Sequence, residues 1–167
     1  PLGINRTEYG KYLTTPILYD TAYYYAQAGI VSLDDITTTM AGGYNDEGNM
    51  FDIQAINTIH IDSFYVHGIT DDTVQVWYRS GSYVGHTSSN VGWVLLGQDT
   101  LSNTGPGAQT PLRVGGLTIP AGQTYGIYIT YKSQNSMSYT VGNGTNENYQ
   151  DNNMKIICGH GGNYFNL

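Results

Sequence analysis

The densest gathering of hard oxygen donors in the chain is Asn45-Asp46-Glu47-Gly48-Asn49, followed by Asp52. Carboxylate and amide oxygens around a glycine turn are what a calcium ion takes, so Asp46, Glu47, Asn49 and Asp52 are candidate ligands. Their spacing is not that of an EF-hand loop, and polar turns of this kind also occur without metal. Cys158-Gly159-His160 offers two soft ligands but lacks the spacing of a zinc site. His60 stands beside Asp62 and His67 ends the same segment; both read as exposed strand positions rather than catalysts. Four histidines and thirteen acidic residues leave room for a catalytic set. No G-x-S-x-G, H-E-x-x-H or cysteine pair is spaced to form one. The expectation is therefore a protein that is not an enzyme, with no catalytic residues and no cofactor.

A second chemistry is stacking. Trp77, Tyr78, Tyr83 and Trp93 are rings of the kind that bind sugars on β-sandwich lectins. The structural alternative is that Trp93 packs in the core while Trp77 faces a neighbour or solvent. Glycan attachment is a separate matter. Asn5-Arg6-Thr7 and Asn143-Gly144-Thr145 match the N-glycosylation sequon, which makes Asn5 and Asn143 candidates.

The elements that carry these residues are strands. Phe51, Ile53 and Ala55 form one apolar face, with Asp52 and Gln54 pointing the other way. Ile59 and Ile61 alternate with His60 and Asp62, and Phe64 and Val66 then take the opposite phase. That change of phase predicts a bulge near Asp62–Ser63. Val74, Val76 and Tyr78 alternate with Gln75, Trp77 and Arg79, and Tyr125, Ile127, Ile129 and Tyr131 line a further strand. Gly-, Asn- and Asp-rich turns separate these runs. Roughly eight short strands at this spacing predict an all-β, antiparallel β-sandwich or jelly-roll-like domain. Phe51, Ile53, Ile127 and Ile129 are its expected core.

Composition narrows the class. The 167 residues are 11% charged, with 22 glycines and 16 tyrosines, as in an extracellular protein rich in turns. A net charge of −7 with no basic run argues against nucleic acid. No stretch approaches the ~18 apolar residues of a membrane span. One cysteine excludes an internal disulfide, and Cys158 reads as a small buried strand residue. A chain beginning at Pro1 fits either removal of a signal or pro-segment or a sequence that is part of a longer gene product; the first is the expectation, and with it secretion to the cell surface.

Residues 1–36 break the pattern and read as an N-terminal arm, with residues 37–167 as the sandwich domain. The arm has no clean period, yet it is denser in apolar and aromatic residues than a solvated tail needs. Thr14–Tyr19 has strand propensity, with Gly29–Leu33 second.

Three segments, GNMFDI (Gly48–Ile53), SGSYVG (Ser80–Gly85) and IPAGQTY (Ile119–Tyr125), carry a resemblance. With the strands between them, they resemble an uncharacterised β-sandwich domain of secreted, Bacteroidetes-type bacterial proteins. The resemblance covers about Thr37 to Thr145 and implies fold and cell-surface location, but no catalytic residues. Members of that family continue past this end with further aromatic strands. After MKIICGHGGNYFNL this chain leaves little room for a closing strand. Asp20-Thr21-Ala22, Asp72-Thr73-Val74 and Asp99-Thr100-Leu101 are similar to the O-glycosylation motif of such proteins, adding Thr21, Thr73 and Thr100 as candidates.

The function expected is a structural subunit of an extracellular helical fibre or pilus. Its sandwich is incomplete and is closed by a strand from another subunit, inserted by donor-strand addition. The assembly residues expected are Thr14, Ile17, Leu18, Tyr19, Ile30 and Val31. The partner is the protein itself, with glycans as a further partner. The alternative is a carbohydrate-binding module of a secreted enzyme or adhesin.

Overall fold

A computed structural model describes residues 35–102, 104–105, 107–132 and 137–162. The arm positions Thr14, Ile17, Leu18, Tyr19, Ile30 and Val31, and the attachment candidates Asn5 and Thr21, lie outside the described residues. The unit described here begins at Ile36.

The described residues form strands and turns, with no helix among them. Twelve strands follow in order: β1 (Tyr44–Asp46), β2 (Gly48–Ala55), β3 (Ile59–Ile61), β4 (Phe64–Val66), β5 (Asp72–Ser80), β6 (Val94–Leu101), β7 (Thr110–Leu112), β8 (Leu117–Ile119), β9 (Thr124–Tyr131), β10 (Met137–Tyr139), β11 (Asn148–Gln150) and β12 (Met154–Gly162). Six of them make one antiparallel sheet in the order β11-β12-β2-β9-β5-β6. The facing layer is built from short pairs: β3 with β8, β4 with β7, and β1 with β10. A bridge from Gly68 to Met137 ties β10 to the chain just after β4.

The core lies between these layers. Ile53, Val74, Val76, Ile127 and Ile129 come from the large sheet; Val66, Leu112, Leu117 and Ile119 come from the facing pairs. The period of two in β5 and β9 delivers those residues to one face, as their sequence alternation predicts. Ile53, Ile127 and Ile129 are buried as expected, whereas Phe51 is only half-buried. It packs against the main core from β2, where it pairs with Ile127 of β9.

The expected irregularity at Asp62–Ser63 is where β3 ends and β4 begins. Its neighbour explains a glycine. A Cβ at Gly115 would sit 1.9 Å from the Asp62 carbonyl oxygen, so only glycine lets the link between β7 and β8 pass. The turn of IPAGQTY forms as its sequence suggests. Gly122 has φ 76°, and the turn closes through Gln123 N–H to Pro120 O at 3.1 Å.

The expectation that little room remained for a closing strand is corrected. Met154–Gly162 is a nine-residue strand in the large sheet, paired with β2 on one side and β11 on the other. Its glycines disguised it, because glycine is depleted in strand interiors. Gly159 sits in a bulge between Ile157 and His160, where a Cβ would lie 2.1 Å from the Met50 carbonyl oxygen.

Candidate functional site

The four calcium candidates do not converge. Asn49 and Asp52 lie three apart on β2, so alternation sends them to opposite faces. Asn49 turns inward and donates from Nδ2 to Met137 Sδ at 3.2 Å. Asp46 lies on β1 and receives the Tyr139 hydroxyl. The Glu47 backbone carbonyl accepts Tyr131 N–H at 2.8 Å. Asp52 is buried and already committed: it accepts Ser82 Oγ at 2.6 Å and Tyr83 N–H at 2.9 Å. Among the described residues no group of three or more His, Cys, Asp or Glu side chains is placed to hold a metal ion.

Asp52 instead fastens a second, smaller core. The segment after β5 folds back over the outer face of the large sheet, and Tyr83 and Trp93 pack there with Met50, Tyr128 and half-buried Trp77. Tyr83 is 6% exposed and Trp93 7%. Trp93 meets Tyr128 edge-on with centroids 6.2 Å apart, and its Nε1–H donates to His86 O at 2.9 Å. Gly126 makes room: a Cβ there would be 2.7 Å from Tyr83 N. This corrects the outer face assigned to β2. Asp52 points away from the main core, as its alternation says, but into a covered layer rather than into water.

The rings proposed for sugar stacking are therefore spent on packing. Tyr83 and Trp93 belong to the second core, Trp77 packs against it, and Tyr78 packs on the main core beside Tyr125 with centroids 6.1 Å apart. Of the attachment candidates described, Thr73 and Thr100 are cross-strand partners, and Thr100 and Asn143 are exposed. The structure adds a fact that no sequence spacing carried. Thr118, on β8, brings its hydroxyl 2.9 Å from His60 Nδ1, while His60 Nε2 lies 3.6 Å from Asp62 Oδ1. This Thr-His-Asp row stands on an open sheet face, with His60 54% and Asp62 69% exposed, so water has free access to every member. His67 is buried, unlike the exposed position expected of it, and its Nε2 accepts Gly107 N–H at 2.7 Å.

Cys158 is half-buried rather than buried. Burial pushes its thiol pKa up, and the nearby Glu147 charge adds to the rise. Tyr83 is also raised, by burial first and then by Asp52 and Cys158, and Tyr131 is raised chiefly by burial. These groups keep their protons to higher pH in the native state than in the unfolded chain. Above the unfolded pKa the unfolded state binds fewer protons, so stability falls as pH rises. The melting temperature should hold up to the ordinary thiol value of 9.0 and then decline. The decline should steepen above the ordinary phenol value of 10.0. Calorimetry across that range checks it; Cys158→Ser should remove the first phase and leave the second.

The feature with the clearest capacity for binding is an edge inside the facing layer. The β3–β4 run, residues 59–66, pairs with β8 and β7 on one side. On its other side no strand is paired with it among the described residues, and the first link there is the bridge at Gly68. Ile59, Ile61 and Phe64 on this run, Phe51 on β2 and Met154 on β12 are all half-buried and packed against the main core. The result is an unpaired backbone edge whose own apolar side chains, Ile59, Ile61 and Phe64, are incompletely covered.

No protein-family model matches this chain, and no curated protein matches it. Gly48–Ile53, Ser80–Gly85 and Ile119–Tyr125, read in the sequence as resembling a secreted bacterial domain, find no counterpart in either comparison. Each has a structural duty here: a strand buried on both faces, the turn held by Asp52, and the turn that opens β9. No helix among the described residues is long and apolar enough to cross a membrane.

Proposed function

We propose that this protein is a structural subunit of an extracellular helical fibre, in which the N-terminal arm of one copy lies along the β3–β4 edge of the next. The observation that carries this reading is the unpaired side of residues 59–66, which themselves carry the half-buried Ile59, Ile61 and Phe64. An added strand would satisfy the free N–H and C=O groups and cover those side chains in one step. Eight residues of edge span about 26 Å, a length that the Thr14–Tyr19 segment and its flanks can match. Alternation would turn Ile17 and Tyr19 toward one face, with Ile30 serving the same purpose if Gly29–Leu33 inserts instead. The contact joins two different surfaces of the molecule, so it propagates head to tail into an open helical polymer unless it closes into a ring. No catalytic role is assigned to any residue.

Two substitutions on the same run of chain test this. Ile61→Glu places a charge in the proposed groove, whereas Tyr65→Glu places one on the exposed side of β4, where Tyr65 is 50% accessible. Negative-stain electron microscopy and sedimentation should show fibres from the parent and from Tyr65→Glu, and none from Ile61→Glu. Far-UV circular dichroism on each variant separates lost assembly from lost folding. Fibres of equal length from all three would sink the proposed edge. A monomeric parent that binds polysaccharide would return the carbohydrate-binding module as the reading.

A further inference from the structure

The loop between β10 and β11 places a nucleophile, an electrophile, a base and an anion cradle within five residues. Asn143-Gly144 is the only Asn-Gly pair in the chain. Glycine after asparagine leaves the backbone nitrogen sterically open to the Asn side-chain carbon. Gly144 holds φ 84°, and its N–H donates to Glu147 Oε1 at 2.9 Å. The Asn143 side-chain oxygen accepts two bonds from Thr145, from N–H at 3.0 Å and from Oγ1 at 2.7 Å. Asn143 N–H is held by Asn146 Oδ1 at 2.8 Å. Asn143 Nδ2, by contrast, takes no hydrogen bond among the described residues, and the loop from Val141 to Thr145 is exposed.

We propose that Asn143-Gly144 is a self-modifying site, which loses ammonia through a cyclic imide and becomes an aspartate or isoaspartate. Gly144 N attacks Asn143 Cγ and gives its proton to the Glu147 carboxylate. The electron pair moved onto Oδ1 is stabilised by the two Thr145 donors, as in an oxyanion hole. Collapse breaks the Cγ–Nδ2 bond, the Glu147 proton goes to the departing nitrogen, and ammonia leaves into water. A water molecule then opens the five-membered imide. Cleavage at the Cγ side gives aspartate, and cleavage at the backbone carbonyl gives isoaspartate, whose main chain runs through the side chain. Either product adds a carboxylate beside Glu147. Like charges at that distance repel, so the Gly144–Glu147 bond should weaken and the loop should loosen.

The loop survives removal of the base, because the Glu147 backbone carbonyl is held separately by Cys158 N–H at 2.8 Å. That makes Glu147→Gln a clean variant: it keeps an acceptor for Gly144 N–H and loses the base. The full chain is incubated at neutral pH, folded or in concentrated urea, and digested. Tandem mass spectrometry then follows amide-to-acid exchange at each asparagine, and isoaspartate methyltransferase labelling reports the rearranged product. Expected is conversion at Asn143 faster in the folded chain than in urea. Glu147→Gln should slow the folded rate by about a hundredfold, the low end of what a positioned acid–base group supplies. Thr145→Ala should slow it too, and neither variant should change the rate in urea. Folded conversion no faster than in urea, or a folded rate unmoved by Glu147→Gln, would overturn the proposal.

Discussion

Under the assembly proposed above, removal of residues 1–35 is expected to abolish fibre growth outright, with no short polymers left, because each subunit would then lack the strand it donates. The truncated chain still carries its receiving edge. Residues 59–66 would stay unpaired on one side, and Ile59, Ile61 and Phe64 would stay half-covered. An unpaired edge beside apolar side chains is a template for non-specific pairing, so the truncated protein should aggregate or melt at a lower temperature than the parent. A synthetic peptide of residues 10–35 should restore the melting temperature and still block growth, because the donor no longer belongs to the next subunit. The parent should also melt at a concentration-dependent temperature, since the stabilising strand comes from another molecule. Sedimentation, electron microscopy and calorimetry read these outcomes. A truncated protein that is a stable monomer with an unchanged melting temperature would reduce the arm to a leader. Donor-strand assembly would then be abandoned.

Trp93→Ala is expected to cost about 3–5 kcal/mol, the range for deleting a large buried aromatic side chain. The magnitude follows from where the ring sits. Trp93 is 7% exposed, packs edge-on against Tyr128, and anchors the folded-back segment by its bond to His86 O. Truncation leaves a cavity over Tyr128 and Met50, and it leaves the His86 carbonyl without that donor. Val91→Ala, two residues earlier and 77% exposed, should stay within about 0.5 kcal/mol, as surface changes usually do. Urea titration of both variants measures the contrast. Equal, small effects would mean that Trp93 is a surface platform after all, and the sugar-binding reading would regain its rings.

Fold class was legible because it rests on a local signal. Val74, Val76 and Tyr78, or Ile127 and Ile129, need only a period of two to declare a strand and its inner face. The change of phase at Asp62–Ser63 was visible within eight residues too, although the structure resolves it as a break between β3 and β4 rather than a bulge within one strand. Glycine-rich turns such as Pro120–Gln123 announced themselves through backbone conformations that other side chains avoid. What the sequence by itself determined is therefore the set of strands with clean alternation, their inward residues and the turns between them.

Tertiary structure decided everything that depends on pairing across distance. The tail holding Gly159, Gly161 and Gly162 read as too short for a closing strand, yet it forms β12, where Met50 and Tyr83 approach closely enough that only glycine fits at 159. Asp52 read as a solvent-facing position or a calcium ligand until Ser82 and Tyr83, some thirty residues on, took both of its oxygens. The aromatic rings stayed open to two readings, stacking platform or packing, because a sequence shows that a ring is present but not what covers it. Period alone shows which side of a strand is inward, yet it cannot show that a loop has folded back over the outward side. The unpaired side of β3–β4 is hidden for the same reason. A strand carries the same residues whether it has one neighbour or two, and the count of neighbours is set by the path of the whole chain.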